Sequence, residues 1–318
     1  MKHFTLILLL PIIVFARQTT YEHLKKTDNP PYVPWFTGSL LPPSAINAAP
    51  GHPVIAPFVG FSVTYGEYQD NWNIKGTTNT YSVNPYLEIL FGINDHIGID
   101  IYTSCITNFK KDQSSTHLQD TIILLGFQIA RDKPKTWIPD IRIILQETFP
   151  TGNYQKLNPK KLGTDSTGLG AFQTGFNLVA QKLFPIRDHF LLLKWTFAYL
   201  FPASVHVKGL NAYGGDISTS GTGYPGQSLY FYLSGEYSLN QQWVLALDSL
   251  FEYQKKSTFS GHTIDHVGTP PMLQFSVAPQ LEYNFSNHSG LLFTLWTTLF
   301  GRNSPAFASF IATYYYAF

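Results

Sequence analysis

The chain has 318 residues, of which 13% are charged and 16% are aromatic, and its formal net charge is +1. This balanced charge gives no support to a nucleic-acid partner. The single cysteine, Cys105, excludes an intramolecular disulfide and a metal cluster built from cysteines. The mean hydropathy is −0.04, and no apolar run long enough for a transmembrane helix follows the amino terminus. Few charges, many aromatics and average hydropathy are typical of a membrane β-barrel, in which lumen-facing polar residues offset lipid-facing apolar ones.

Residues 1–16 have the pattern of a secretory signal peptide. Lys2 gives a basic start, an apolar run covers residues 4–15, and small residues precede a cleavage position after Ala16. The apolar run is too short for a spanning helix, and it contains a proline. We therefore expect residues 1–16 to be a cleaved signal peptide.

Residues 17–50 are too rich in proline for a regular strand or a long helix. Two interpretations fit this segment. It could be a periplasmic arm, which we take as the simpler expectation, or a plug that folds into the barrel mouth with Trp35 and Phe36 as anchors. The prolines are Pro30, Pro31, Pro34, Pro42, Pro43 and Pro50.

Residues 51–318 carry the period-two alternation of antiparallel strands. In the stretch 271–285, for example, Leu273, Phe275 and Val277 alternate with Gln274 and Ser276, which gives one apolar and one polar face. The same pattern predicts an all-β fold: a single up-and-down transmembrane antiparallel β-barrel of about 12 strands. The predicted strands are 54–66, 79–92, 96–108, 118–131, 138–149, 169–184, 189–205, 227–239, 242–255, 271–284, 290–300 and 306–318.

The connections between these strands alternate between short and long. Short turns follow strands two, four, six, eight and ten, which is the pattern of periplasmic turns in bacterial outer-membrane barrels. The strands are long enough to cross a bilayer at a barrel tilt, whereas strands of a soluble sandwich average about 5–6 residues. We therefore expect both termini on the periplasmic side. The long connections are 67–78, 109–117, 150–168, 206–226 and 256–270.

The carboxyl-terminal strand ends on an aromatic residue, Phe318, without a polar tail. This ending fits a last strand that must pair with the first and close the sheet in lipid. We therefore predict localisation in the outer membrane, with outer-membrane lipid as a partner. We also predict that the last strand, with Phe318 as its signal, engages the barrel-assembly machinery.

Three segments within residues 139–184 resemble a known family. Residues 139–142 read Pro-Asp-Ile-Arg, residues 147–152 read Glu-Thr-Phe-Pro-Thr-Gly, and residues 168–173 read Gly-Leu-Gly-Ala-Phe-Gln. This pattern is similar to the family named for the meta-pathway of phenol degradation, which consists of bacterial outer-membrane barrels loosely related to transporters of hydrophobic compounds. The resemblance implies passage of small molecules, aromatic ones among them, and no enzymatic site. The segment 34–38 has no counterpart in that pattern.

The strand registers place a set of charged residues on the lumen face. They allow two interpretations: ion pairs that stiffen a nearly filled barrel, or a mildly cation-favouring passage. The predicted lumen-lining residues are Glu88, Asp100, Arg142, Lys194, Glu236, Asp248, Glu252 and Glu282.

Passive uptake of small molecules is the predicted function, with a small-molecule solute as partner and neither a catalytic site nor a cofactor. One alternative is a lipid-acting enzyme using residues 287–289 (Asn-His-Ser), which fall in a predicted periplasmic turn and are better explained as turn residues. A metal site at residues 262–266 (His-Thr-Ile-Asp-His) is less favoured than a solvated loop. Another alternative is a non-transporting surface barrel whose long loops bind partners.

Overall fold

A computed structural model describes residues 32–318, so the predicted signal peptide 1–16 and residues 17–31 lie outside the described part. Within residues 32–318 no helix is long and apolar enough to cross a membrane. The regular structure of this part consists of strands and one 3-10 turn, Pro159–Lys161. The strands are β1 Val54–Tyr68, β2 Ile74–Gly92, β3 Ile97–Lys110, β4 Gln113–Leu118, β5 Thr121–Ala130, β6 Asp140–Phe149, β7 Gln173–Ile186, β8 His189–Pro202, β9 Val205–Lys208, β10 Ser220–Tyr224, β11 Ser228–Ser238, β12 Trp243–Gln254, β13 Thr258–His262, β14 Met272–Asn284, β15 Ser289–Arg302 and β16 Ser304–Ala317.

Twelve of these strands form a closed antiparallel barrel, which confirms the predicted fold. Neighbours in sequence pair around the wall, and β1 pairs with β16 from Val54–Ala317 to Tyr68–Ser304. The last strand thus closes the sheet on the first. The wall strands are β1, β2, β3, β5, β6, β7, β8, β11, β12, β14, β15 and β16.

Side chains alternate between the outside and the inside of the barrel. On β8, Leu193 and Trp195 are each 40% exposed on the outer face, while the alternate residues Lys194 and Thr196 are buried. An outer surface of exposed leucine, tryptophan and phenylalanine is stable in lipid and unfavourable in water. The apolar outer face and the closed sheet together place the protein in the outer membrane, as the sequence predicts.

Several strands extend beyond their predicted ends. The first two strands continue until only residues 69–73 connect them, and β3 turns back directly into β4. The fourth predicted strand is interrupted at Gln119 and Asp120, so β4 and β5 both pair with β3 on either side of this break. The alternation of apolar and polar residues identified the parts of the strands that face lipid. It did not identify the extensions beyond the lipid, because these are polar.

A second, three-stranded sheet lies in the long connections at the extracellular end. It consists of β9, β10 and β13, in the order β13–β10–β9. The sequence predicted long connections at residues 206–226 and 256–270, and it did not predict β10 and β13, which lie within them. These strands are five residues each and rich in glycine, serine and threonine, so their sequence lacks an apolar alternation.

The described part of the Pro-rich segment lies inside the barrel. Phe36, Leu40, Leu41 and Ala45 are fully buried, as are most residues from 33 to 48. This is the arrangement that the sequence left as the alternative to a periplasmic arm. We refer to residues 32–48 as the plug.

The pairing of β1 with β16 predicts a specific cross-link. Ser62 and Ser309 are register partners with hydroxyl oxygens 2.7 Å apart. In a Cys105→Ala background, the double variant Ser62→Cys/Ser309→Cys should form a disulfide, because its Cβ atoms face each other. On a non-reducing gel the heat-denatured chain should migrate faster, and reductant should remove the shift.

The matched control is Ser62→Cys/Phe310→Cys, in which the second side chain faces the outside of the barrel. No cross-link should form there. Equal cross-linking of the two pairs would contradict the register of the barrel closure.

Candidate functional site

The plug makes no strand pairing with the wall, so its backbone amides need other partners. Wall side chains supply them. The N–H of Thr37 donates to Glu282 Oε2 at 2.8 Å, and the N–H of Leu41 donates to Asp248 Oδ2 at 2.8 Å. The N–H of Leu40 donates to Gln280 Oε1 at 3.0 Å. Carboxylate and amide oxygens on β12 and β14 therefore accept the hydrogen bonds that a neighbouring strand would normally accept.

Donors on other strands bind the plug carbonyls and hydroxyls. Arg142 Nη1 donates to Ser44 O at 3.2 Å, and Lys194 Nζ donates to Ser39 Oγ at 3.1 Å. Gln128 binds twice, since its Nε2 donates to Ala45 O and its Oε1 accepts from the N–H of Asn47, each at 3.0 Å. The plug is thus held from several directions around the wall by non-covalent contacts, in addition to its chain connection to β1 through residues 49–53.

Two interactions between charged groups lie beside the plug. Arg142 forms a two-point ion pair with Asp100, with Nη1–Oδ2 and Nη2–Oδ1 distances of 2.8 and 3.1 Å. Lys194 Nζ lies 3.7 Å from Glu236 Oε1. Removing one partner of such a buried pair leaves a buried charge without compensation, which is costly.

Gly126 on β5 provides the space for the Arg142 side chain. A Cβ atom at position 126 would overlap the guanidinium atoms Nε and Nη2 of Arg142. A side chain of any size at this position would therefore displace Arg142 from Asp100. Sequence reasoning missed Gly126 because it found Arg142 by alternation alone.

The predicted lumen-lining residues fall into two groups. Seven are fully buried on the inner face in the periplasmic half, around the plug. Glu252 is half-buried and nearer the extracellular end, where it is the register partner of Tyr230. The seven are Glu88, Asp100, Arg142, Lys194, Glu236, Asp248 and Glu282.

These buried charges are unbalanced, with five carboxyl groups and two cationic groups, and the plug itself contains no charged side chain. Peptide N–H groups of the plug contribute to satisfying the carboxyl oxygens. The sequence indicated the charged wall but not its neutral partner. It also gave no reason to select Gln128, Gln280 or Asn284, since uncharged amides on a lumen face are common in barrels.

An apolar layer covers the extracellular side of the plug. Its aromatic members are buried and belong to the same contact cluster as Leu40 and Leu41. The Phe58 and Tyr86 rings stack with centroids 4.3 Å apart, and Trp296 meets Phe307 edge-on at 5.0 Å. We call this group the aromatic layer: Phe58, Tyr86, Tyr102, Tyr230, Tyr232, Trp296 and Phe307.

Asp120 organises the family-like motifs at the extracellular end. Its Oδ1 accepts from the N–H of Gly152 and its Oδ2 accepts from the N–H of Leu169, each at 2.9 Å. In addition, Thr151 Oγ1 donates to Gln119 O at 2.6 Å. The Pro-Thr-Gly and Gly-Leu-Gly motifs, far apart in sequence, thus meet at the interruption between β4 and β5.

The small extracellular sheet packs on an apolar core of its own, which includes Leu169, Val207 and Val267. Tyr213 OH donates to Leu169 O at 2.7 Å and links this core to the motif loop.

Asp216 joins the two long connections, because its Oδ2 accepts from the N–H groups of residues 264 and 265. Hydrogen bonds to this carboxylate, from the Ser218 side chain first, hold the pKa of Asp216 below its ordinary value. The barrel is therefore capped outside and plugged inside.

The two candidate chemical motifs are not assembled into sites. Ser289 Oγ lies 3.1 Å from Ser286 Oγ, and His288 O accepts from the N–H of Ala317, so residues 286–289 make turn contacts. Within residues 32–318 no group of three or more histidine, cysteine, aspartate or glutamate side chains is placed to hold a metal ion, residues 262–266 included. The expectation that the protein has no catalytic site stays a prediction.

The fold and the interior define a class of protein: an outer-membrane β-barrel whose lumen is occupied by its own amino-terminal segment. The fold is similar to the COG4313 outer membrane channel from Pseudomonas putida F1, with a TM-score of 0.65 and 12% identity, covering 87% of this chain and 99% of that one.

Weaker likenesses include the translocator domain of the autotransporter NalP from Neisseria meningitidis and the toluene transporter TodX from Pseudomonas putida. Their TM-scores are 0.44 and 0.39, with 13% and 12% identity. These matches cover 84% and 85% of this chain and 88% and 90% of those chains. No family model and no curated protein matches the chain, so the family resemblance of residues 139–184 stays a prediction.

The close approach of Gly126 and Arg142 predicts a large effect of one methyl group. Gly126→Ala should break the Arg142–Asp100 ion pair and destabilise the barrel by about 3 kcal/mol, because both charges remain buried. The measurement is urea unfolding followed by loss of the heat-modifiable folded band.

Gly76→Ala on β2 is the matched control, since a Cβ atom there meets no other atom within 4 Å. Its effect should stay within about 0.5 kcal/mol. Equal stability of the two alanine variants would show that the ion pair does not depend on Gly126.

Proposed function

We propose that the protein is a channel for small, largely apolar molecules across the outer membrane, and that the plug is its movable barrier. The observation that carries this proposal is the way the plug is held. Its contacts with the wall are hydrogen bonds and packing without strand pairing, and its chain connection to β1 runs through residues 49–53, so it can move out while the strand pairing of the wall stays intact.

The side chains that line the interior favour an apolar solute. Between the plug and the extracellular cap the wall presents aromatic and aliphatic side chains, among them Tyr102, Leu124, Ile144 and Trp296. Such a surface binds apolar molecules and offers little to a hydrated ion. Seven of the eight charged inner residues lie on the periplasmic side, and four of these seven bind the plug directly. We therefore favour a gate for apolar solutes over a permanently open, cation-favouring passage.

The structurally similar protein from Pseudomonas putida F1 is described as an outer membrane channel, which agrees with this proposal. For assembly, we propose that the last strand engages the barrel-assembly machinery, with Phe318 as its signal. Phe318 is exposed, and its N–H donates to Pro53 O at 3.0 Å, so the ring lies at the periplasmic rim beside the start of β1.

Locking the plug tests the channel function. Thr37 Oγ1 donates to Asn284 Oδ1 at 2.9 Å, so Thr37→Cys/Asn284→Cys in a Cys105→Ala background should tether the plug to β14. Gram-negative cells producing this variant should take up the apolar dye N-phenylnaphthylamine several-fold more slowly when oxidised than when reduced.

The double variant Ser62→Cys/Ser309→Cys is the control, because its disulfide lies within the wall and should leave uptake insensitive to oxidation. Deletion of residues 32–48 should raise uptake above that of the parent protein. Uptake that is the same with a locked, free or deleted plug would overturn the proposed function.

A further inference from the structure

Two hydroxyl groups face the interior in the aromatic layer without a hydrogen-bond partner. Tyr232 on β11 and Thr196 on β8 are register partners, and both side chains are on the inner face. Their exposed fractions are 1% and 0%. Neither hydroxyl makes a hydrogen bond to any residue from 32 to 318.

Two other polar groups of the aromatic layer are paired. Tyr102 OH donates to Glu88 Oε1 at 3.3 Å, and Trp296 Nε1 donates to Ser276 Oγ at 2.9 Å. Most buried polar groups in folded proteins have a partner, and one without a partner requires an explanation. A hydroxyl at the tip of a long phenolic side chain, placed in an apolar layer, can be explained by a ligand that completes its hydrogen bonding.

The position of Tyr232 connects it to the remaining aromatic side chains. Across the wall, Tyr232 pairs with Leu250, Leu250 pairs with Ser276, and Ser276 accepts the hydrogen bond from the Trp296 indole. A continuous interior row therefore runs from Thr196 to Trp296. It has hydroxyls at one end, Leu250 and the hydrogen-bonded Ser276 in the centre, and an aromatic ring at the other end.

We propose that this row is a binding site for small uncharged molecules with an apolar body and one alcohol or similar oxygen-bearing group. The oxygen binds Tyr232 and Thr196, and the body packs against Leu250 and Trp296. This inference rests on the proposed function, because such a ligand is the solute that the channel passes. It adds the chemical class of that solute.

The surroundings favour a ligand without charge. Ionised groups lose much hydration on entering an apolar layer. Lys194 occupies the inward position next to Thr196 on β8, but it already donates to Ser39 Oγ and lies 3.7 Å from Glu236 Oε1. The carboxyl groups of Asp248 and Glu252 flank Leu250 at the adjacent inward positions of β12 and disfavour an anion further. A single neutral oxygen can both donate to and accept from the hydroxyls of these two register partners.

The test compares two probes that differ by one hydroxyl, 4-bromobenzyl alcohol and 4-bromotoluene. Binding to the full chain in detergent is followed by bromine quenching of Trp296 fluorescence, with Trp296→Phe identifying the signal from this site. We expect the alcohol to bind about three- to tenfold more tightly than the toluene, which is the range for one net hydrogen bond.

In Tyr232→Phe this preference should fall to about onefold, and Thr196→Val should reduce it with little change in side-chain volume. Tyr199→Phe makes the same chemical change on the outer face of β8, where the hydroxyl donates to Gln227 Oε1, and should keep the preference. Equal binding of the two probes to the parent, or an unchanged preference in both Tyr232→Phe and Thr196→Val, would overturn the proposal.

The experiments can refute the proposed function and the proposed binding site independently of each other. If plug locking controls dye uptake but the probes bind equally, the channel stands and this site is refuted. If the probes show the expected preference but plug locking leaves uptake unchanged, the site stands as a binding site and the gating function is refuted.

Discussion

The requirement that every backbone polar group be paired inside a membrane determines most of this structure. At the wall it is met by strand pairing, which is complete because β16 pairs with β1 along its length. In the interior it applies again, to a chain segment that makes no strand pairing with the wall and contains two adjacent prolines. In the interior, side chains of the wall satisfy this requirement. Glu282 and Asp248 accept hydrogen bonds from amides of the plug, and Arg142 donates to one of its carbonyls.

The interior is therefore divided by chemistry along the barrel axis. Near the periplasm, the wall carries excess carboxyl groups and the plug brings neutral donors, so attraction does not depend on opposite charges alone. Above it, the aromatic layer has almost no unpaired polar atoms apart from a few hydroxyls. The aromatic layer therefore separates the extracellular cap from the charged surface to which the plug binds.

Alternation of apolar and polar residues predicted the barrel well, because each membrane strand has one face in lipid, as Leu193 and Trp195 show on β8. It also indicated the charged inner residues, since Arg142 and Lys194 stand between apolar outward neighbours. Alternation shows which way a side chain points and not what it meets. The positions of the plug, of its partners Gln128 and Asn284, and of the space at Gly126 depend on distant parts of the chain. The small extracellular sheet was missed because β10 and β13 are short and polar on both faces.

The location of the plug has a consequence for how the molecule folds. Its hydrogen-bonding partners lie on six strands, β5, β6, β8, β11, β12 and β14, which together with β7 form one continuous run of the wall. Residues 32–48 precede all of these strands in the chain, yet their set of partners is complete only once β14 has joined that run. The earliest segment of the described chain therefore completes its contacts after most of the wall has been made.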